Sequence, residues 1–177
     1  MRKLQSLAIS SYFEDRLTDS GLVKIKTFKI HFPPANPRFL EDSSIPKTYR
    51  SKPLVTLNNE DIFGELAILK CLQMDGFDGV WVDTFHGRGR RKVLWSAMPP
   101  DGQGRLSGRA ELLYDRIVEA NGGKSSGFFD VFAWNNEKIV FIEYKGEGDS
   151  PNKNETKWIN SAIRCGVRTE DLIFVSY

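Results

Sequence analysis

Three charged residues stand where charge is costly. Glu143-Tyr144-Lys145 closes the most hydrophobic run in the chain, Ile139-Val140-Phe141-Ile142, and Asp130 follows the apolar pair Phe128-Phe129. A charge at the end of a buried strand requires a partner, a metal or water, because unpaired burial is unfavourable. Two carboxylates converging on one point repel each other unless a cation or a shared proton lies between them. Oxygen donors alone favour Mg²⁺ or Mn²⁺ over zinc, and neither His31 nor His86 has a ligand partner at suitable spacing. A lysine beside such an ion orients or activates an attacking water and neutralises charge as a phosphodiester is displaced. The triplet alone is weak: eleven Glu and thirteen Lys in 177 residues give about 0.8 Glu-x-Lys triplets by chance, and Glu155-Thr156-Lys157 is a second one. An ordinary salt bridge between Lys145 and an acid is the competing reading.

The elements that must position these residues are two strands, 128–134 and 138–144. Asn135-Asn136 joins them, a pair that tolerates the positive φ of a tight turn. With those two as the turn residues, Trp134 pairs with Glu137 and Asp130 lies opposite Phe141. Asp130, Glu143 and Lys145 then share a face, because side chains alternate with period two, and the two carboxylates are diagonal neighbours able to share an ion. A three-residue turn would put them on opposite faces. The site depends on this register.

The remaining elements read as a mixed α/β domain. Leu22 to Ile30 alternates apolar and polar residues like a half-exposed strand, and five of the eight prolines then mark an ordered loop over 33–53. Asn58 or Asn59 caps a helix reaching to about residue 73, with Ile62, Leu66, Leu69 and Leu72 at helical spacing and Gly76 just beyond. A strand at 79–84, a helix near 108–121, a helix at 152–165 and a strand at 172–175 complete the order. Residues 1–57 form an N-terminal extension packed on a domain of 58–177, with 85–124 as an internal insertion that holds a short strand at 93–95.

Composition removes other classes. Hydrophobic residues make up 40% and charged residues 27%, which excludes a disordered or fibrous chain. No apolar run approaches the roughly 18 residues of a membrane helix. Residues 1–10 are too polar for a signal peptide, so the expected location is cytoplasmic. Cys71 and Cys165 match no metal-knuckle spacing and read as small buried residues in a reducing compartment. The net charge is only +2, yet residues 1–60 carry ten basic and six acidic side chains while 111–177 carry eight and eleven. Between them Gly87-Arg88-Gly89-Arg90-Arg91-Lys92 is a solvated loop or, beside a metal site, a strip that tracks phosphates without reading bases.

Ser126-Gly127-Phe128-Phe129-Asp130-Val131, then Phe141-Ile142-Glu143-Tyr144-Lys145-Gly146-Glu147-Gly148-Asp149, then Trp158, resemble the VRR-NUC branch of the PD-(D/E)XK nucleases. There a Gly-x-x-Asp strand precedes a Glu-x-Lys strand, a Gly-x-Gly-Asp turn and a helix bearing Gln and Trp. The resemblance runs from Gly127 to Val175, and more loosely to the helix at 59–73. Two positions depart from it: Phe129 stands where proline is usual, and Glu155 where the helical Gln falls. It implies a restriction-endonuclease-like core, a mixed central sheet flanked by helices in αβββαβ order, and divalent-metal-dependent cleavage of DNA, often branched or flapped. It also implies Asp130 and Glu143 as ligands of Mg²⁺ or Mn²⁺, the Tyr144 carbonyl as a third, and Glu65 as the upstream helical acid.

The supporting residues also have plain structural readings. Glu65 borders an apolar helical stripe or is simply exposed. Glu155 lies three residues after Asn152, a capping-box spacing, and shares a face with Trp158, Ile159 and Ala162. Gly146-Glu147-Gly148-Asp149 is first of all a turn. The expected function is a metal-dependent deoxyribonuclease, endo or exo, with Asp130, Glu143, Lys145, Glu65 and Glu155 at the catalytic site. Arg88, Arg90, Arg91 and Lys92 contact the DNA backbone. The alternatives are a catalytically inactive nucleic-acid-binding module on the same fold and an interaction protein whose charges are a structural cluster; a homodimer is left open.

Overall fold

A computed structural model describes residues 1–19, 21–41, 45, 47–83, 93–146, 149 and 152–177. The first residues form a short helix, α1 (Arg2–Leu7), and a long strand, β1 (Ala8–Thr18), which pairs antiparallel with β2 (Gly21–Ile30). The alternation in β2 works as expected at its end, where Phe28 and Ile30 are buried and Lys29 is exposed. Among its described residues the proline-rich stretch is irregular apart from one turn of helix, α2 (Lys47–Arg50).

Asn58 and Asn59 do not cap a helix. They are the turn of a hairpin between β3 (Leu54–Leu57) and β4 (Glu60–Phe63), with φ of 53° and 64°. Asparagine tolerates this left-handed conformation, which a two-residue turn demands. Ile62 is therefore a strand residue, and the helix begins later, as α3 (Gly64–Met74).

Next come β5 (Asp78–Asp83) and β6 (Val93–Trp95), an antiparallel pair, and α4 (Gly108–Ala120). The chain then forms β7 (Val131–Trp134), β8 (Ile139–Lys145), α5 (Lys153–Arg164) and β9 (Leu172–Ser176). One seven-stranded mixed sheet results, in the order β1-β2-β9-β8-β7-β5-β6. The pairs β2–β9 and β8–β9 are parallel and the others antiparallel. The sheet separates two apolar layers. Leu4 of α1 and Leu66, Leu69 and Leu72 of α3 cover one face with Ile142 and Val175. Tyr114 and Ile117 of α4 and Trp158 and Ile159 of α5 cover the other with Phe132, Phe141 and Phe174. The architecture is a mixed α/β fold with a central mixed sheet flanked by helices.

The register of the β7–β8 hairpin differs from the expected one. Val131 pairs with Ile142 and Trp134 with Ile139, so the tight turn centres on Asn136-Glu137. Asn135 is not a left-handed turn residue; its Oδ1 accepts the amides of Glu137 and Lys138, each at 3.0 Å. A side chain that caps the turn in this way removes the need for positive φ. Each strand has slid by one residue, which preserves the face and brings Asp130 opposite Glu143 rather than Phe141.

Candidate active site

The two carboxylates are interlocked through backbone. The Asp130 amide donates to Glu143 Oε2 at 3.2 Å, and the Tyr144 amide donates to Asp130 Oδ2 at 3.0 Å. Asp130 lies just before β7 and Glu143 near the end of β8, so adjacent central strands deliver both to the same end of the sheet. Gly127 permits the approach of α5 to this end. Its φ is +79°, and a Cβ there would overlap the backbone of Asn154.

Lys145 Nζ donates to Glu143 Oε1 at 3.2 Å and to Glu155 Oε1 at 2.6 Å. Glu155 sits in the first turn of α5, whose cap is Asn152: its Oδ1 accepts the amides of Asn154 and Glu155. The Asn152 side-chain amide donates to Glu155 Oε1 at 2.8 Å. Glu155 therefore satisfies the helix cap and also contacts Lys145 directly. Its other oxygen, Oε2, is buried without a hydrogen-bond partner among the described residues.

Glu65, in the first turn of α3, is buried rather than exposed, and it pairs with Lys52 from the segment before β3. Lys52 was not singled out in the sequence, because nothing local marks a lysine that reaches a helix through tertiary packing. Its ammonium lies 5.3 Å above the Trp81 ring. Burial alone would lower its pKa, but the charges of Glu65, Asp130 and Asp83 overcome that and raise it. Asp83 was also missed. It ends the apolar strand β5, the same signal that exposed Glu143, and it is buried and accepts the Tyr49 hydroxyl. Tyr49 in turn accepts the Trp95 indole N–H at 3.1 Å.

Both carboxylates are shifted towards their protonated forms. Burial, then the charge of Glu65, pushes Asp130 up to about 7; the Tyr144 amide, Lys52 and Lys145 pull the other way. Burial and Asp130 hold Glu143 well above the ordinary carboxylate range, against Lys145. Burial would lower Lys145, yet Glu143 and Glu155 raise it, so it remains an ammonium and serves as a donor rather than a base. Among the described residues no group of three or more His, Cys, Asp and Glu side chains is arranged to hold a metal. The donors that do converge, Asp130 and Glu143, are hard oxygens, which suit Mg²⁺ or Mn²⁺ with water or carbonyl groups completing the shell. The strip Arg88, Arg90, Arg91 and Lys92, like His86, lies outside the described residues.

Asp130, Glu143 and Lys145 thus stand on neighbouring strand ends of a mixed α/β sheet. The family model of the VRR-NUC domain, a PD-(D/E)XK-like nuclease family, matches residues 104–172. The matched segment contains α4, β7, β8 and α5, and with them Asp130, Glu143, Lys145 and Glu155. It begins at 104, inside the stretch read from the sequence as an insertion. No curated protein and no solved structure matches the chain significantly. The family match supports a nuclease-type DNA-processing function. Among the described residues, no helix is long and apolar enough to cross a membrane.

Proposed function

We propose that the protein is a Mg²⁺- or Mn²⁺-dependent phosphodiesterase acting on DNA, with branched or flapped DNA as the substrate class. In this reading α3, β5, β7, β8, α5 and β9 are the αβββαβ core, β6 is inserted into it, α4 belongs to the matched domain between β5 and β7, and residues 1–57 extend it. Asp130, Glu143 and the Tyr144 carbonyl would hold the ion. When bound, it supplies positive charge to the phosphate oxygens as the phosphorus–oxygen bond breaks. The oxygen of a water bonds to phosphorus, the bond to the leaving sugar oxygen breaks, and the proton released by the water balances the charge on that oxygen. Lys145 donates hydrogen bonds that orient the water and offset the developing charge. Glu155 fixes the Lys145 ammonium, while Glu65 and Lys52 set the field at Asp130. Arg88, Arg90, Arg91 and Lys92 contact the backbone phosphates.

The observation that carries this reading is the pairing of Asp130 with Glu143 across adjacent strands, with Lys145 donating to Glu143. A catalytically inactive DNA-binding module on the same fold is favoured by one feature, Phe129. Its ring is fully buried, 4.5 Å from the Trp158 ring and 5.6 Å from that of Phe174, so a position that is proline in the family pattern serves the core here. A cleavage assay separates the two. Purified protein is incubated with linear, flapped and four-way DNA, with Mg²⁺, Mn²⁺ or a chelator. Metal-dependent product supports the nuclease; binding without product under both metals supports the module.

A further inference from the structure

Beside the carboxylates lies a pocket of about 350 Å³ that shares Glu65 and Lys52 with them. One wall comes from the N-terminal part of the chain, with His31, Phe32 and Arg38. The other is the ring pair Tyr144 and Tyr177, whose centroids are 5.0 Å apart and whose planes are inclined by 32°. Tyr144 can occupy this wall because Gly64 stands behind it, where a Cβ would overlap the ring.

The volume is at the small end for ligand pockets, suited to a single nucleotide and too small for a duplex. Its charges largely cancel within the wall. Glu65 is held by Lys52, and Asp149 accepts the Gly146 amide at 2.9 Å. Such a lining does not select a bare polyanion. It offers apolar surface, two aromatic rings and, in Arg38, a cation 5.8 Å from the Phe39 ring. Those are the groups that stack an unpaired base and hold its phosphate.

We propose that this pocket takes one unpaired nucleotide, its base against Tyr144 and Tyr177 and its phosphate towards Arg38, from the strand whose neighbouring phosphate enters the Asp130–Glu143 site. The course of that strand rests on the nuclease reading above. The pocket wall formed by His31, Phe32 and Arg38 lies outside the 104–172 family match and Tyr144 inside it, so the subsite is built jointly by the matched segment and the N-terminal one.

The test is binding without cleavage, on the full chain in chelator. Two duplexes of equal paired length are compared, one blunt and one with a short overhang containing 2-aminopurine, whose fluorescence falls on stacking. The expected result is binding of the overhang about tenfold tighter than the blunt duplex, the scale of one base–aromatic stack, with fluorescence quenched. Tyr177, which is 47% exposed, can be changed with little disturbance of the core. Tyr177→Ala should erase preference and quenching while leaving blunt-duplex affinity unchanged, and Tyr177→Phe should keep both. Arg38→Ala should weaken overhang binding more than blunt-duplex binding. Equal affinity for the two duplexes, or a preference and quenching that survive Tyr177→Ala, overturns the pocket assignment. Cleavage with Mg²⁺ or Mn²⁺ alongside equal affinities would sink the pocket alone. Overhang preference without cleavage under either metal would sink the nuclease reading alone.

Discussion

The backbone amide of Asp130 donates to the carboxylate of Glu143 at 3.2 Å, while the Tyr144 amide donates to Asp130, so each acid is held next to the other. Repulsion is built into the folded state and is relieved only by a cation or a proton. Mg²⁺ or Mn²⁺ should bind the folded state alone, because unfolding scatters the donors. The melting temperature should therefore rise once the metal passes its dissociation constant, with about 2.7 kcal/mol of stabilisation at a hundredfold excess. Asp130→Asn should abolish that rise and should be no less stable than wild type without metal. Thermal melts with and without metal decide it: an equal response in wild type and Asp130→Asn removes Asp130 as a ligand.

Burial of Asp130, reinforced by the charge of Glu65, gives the metal-free protein a defined pH dependence. Asp130 is pushed up to about 7 by burial and by Glu65, against an ordinary aspartate near 3.8. Between those values the folded state keeps a proton that the unfolded chain gives up, so stability falls as pH rises through this window. The loss is complete above about pH 7 and absent below about pH 4, and Glu143 shifts in the same direction. Denaturant midpoints in chelator should decline from about pH 5 to pH 7, more weakly in Asp130→Asn and in saturating metal. A midpoint that rises over this range would contradict the assigned environment.

Much of this site was legible because one chemical oddity, charge closing an apolar strand, marks Glu143 and Lys145 in the chain itself. The register was only half legible. The positive-φ chemistry assigned to Asn135-Asn136 belongs instead to Asn58 and Asn59, while Asn135 caps its turn with a side chain. Both turns are asparagine-rich, and local sequence does not say which asparagine will spend its side chain on the backbone. The shared face survived because both strands slipped together. Lys52 was invisible for a different reason: its partner Glu65 is 13 residues away, across a hairpin that the sequence had merged into a helix.

Lys145 bridges two acids, so its removal has two separable effects. Lys145→Ala should lower cleavage at least about a hundredfold, the scale of losing one charge-stabilising donor. It should also lower the metal-free melting temperature, because Glu143 and Glu155 are left buried without their cation. Adding Glu155→Gln should recover part of the stability and none of the activity. Cleavage by a folded Lys145→Ala at the wild-type rate would take the lysine out of the reaction.

The arginine strip is tested through the salt dependence of DNA binding. Replacing Arg88, Arg90 and Arg91 with Ala should weaken binding to all duplex sequences alike. The slope of log affinity against log salt should become shallower by up to about 0.9 for each phosphate no longer neutralised. An unaltered slope would mean that the loop faces away from the DNA.

Lys52 tests whether the N-terminal segment is part of the site or merely packed near it. Its ammonium is shared between the buried Glu65 carboxylate and the Trp81 ring, and its side chain is 33% exposed. Lys52→Met keeps the stem and removes the charge, leaving Glu65 buried without its partner. The expected cost is about 1–3 kcal/mol, reduced from a fully buried pair because water reaches Lys52. Glu65→Gln in the same chain should recover most of it, since the orphaned charge is then gone. The two changes also act oppositely at Asp130. Losing Lys52 alone leaves the field of Glu65 uncompensated, so metal should stabilise Lys52→Met more than wild type. Losing both should return the metal response towards the wild-type value. Denaturant titrations of wild type, Lys52→Met, Glu65→Gln and the double variant, each with and without Mg²⁺, form a closed cycle. Additive changes in that cycle would show that Lys52 and Glu65 do not act on each other, and the N-terminal segment would then have no electrostatic hold on the site.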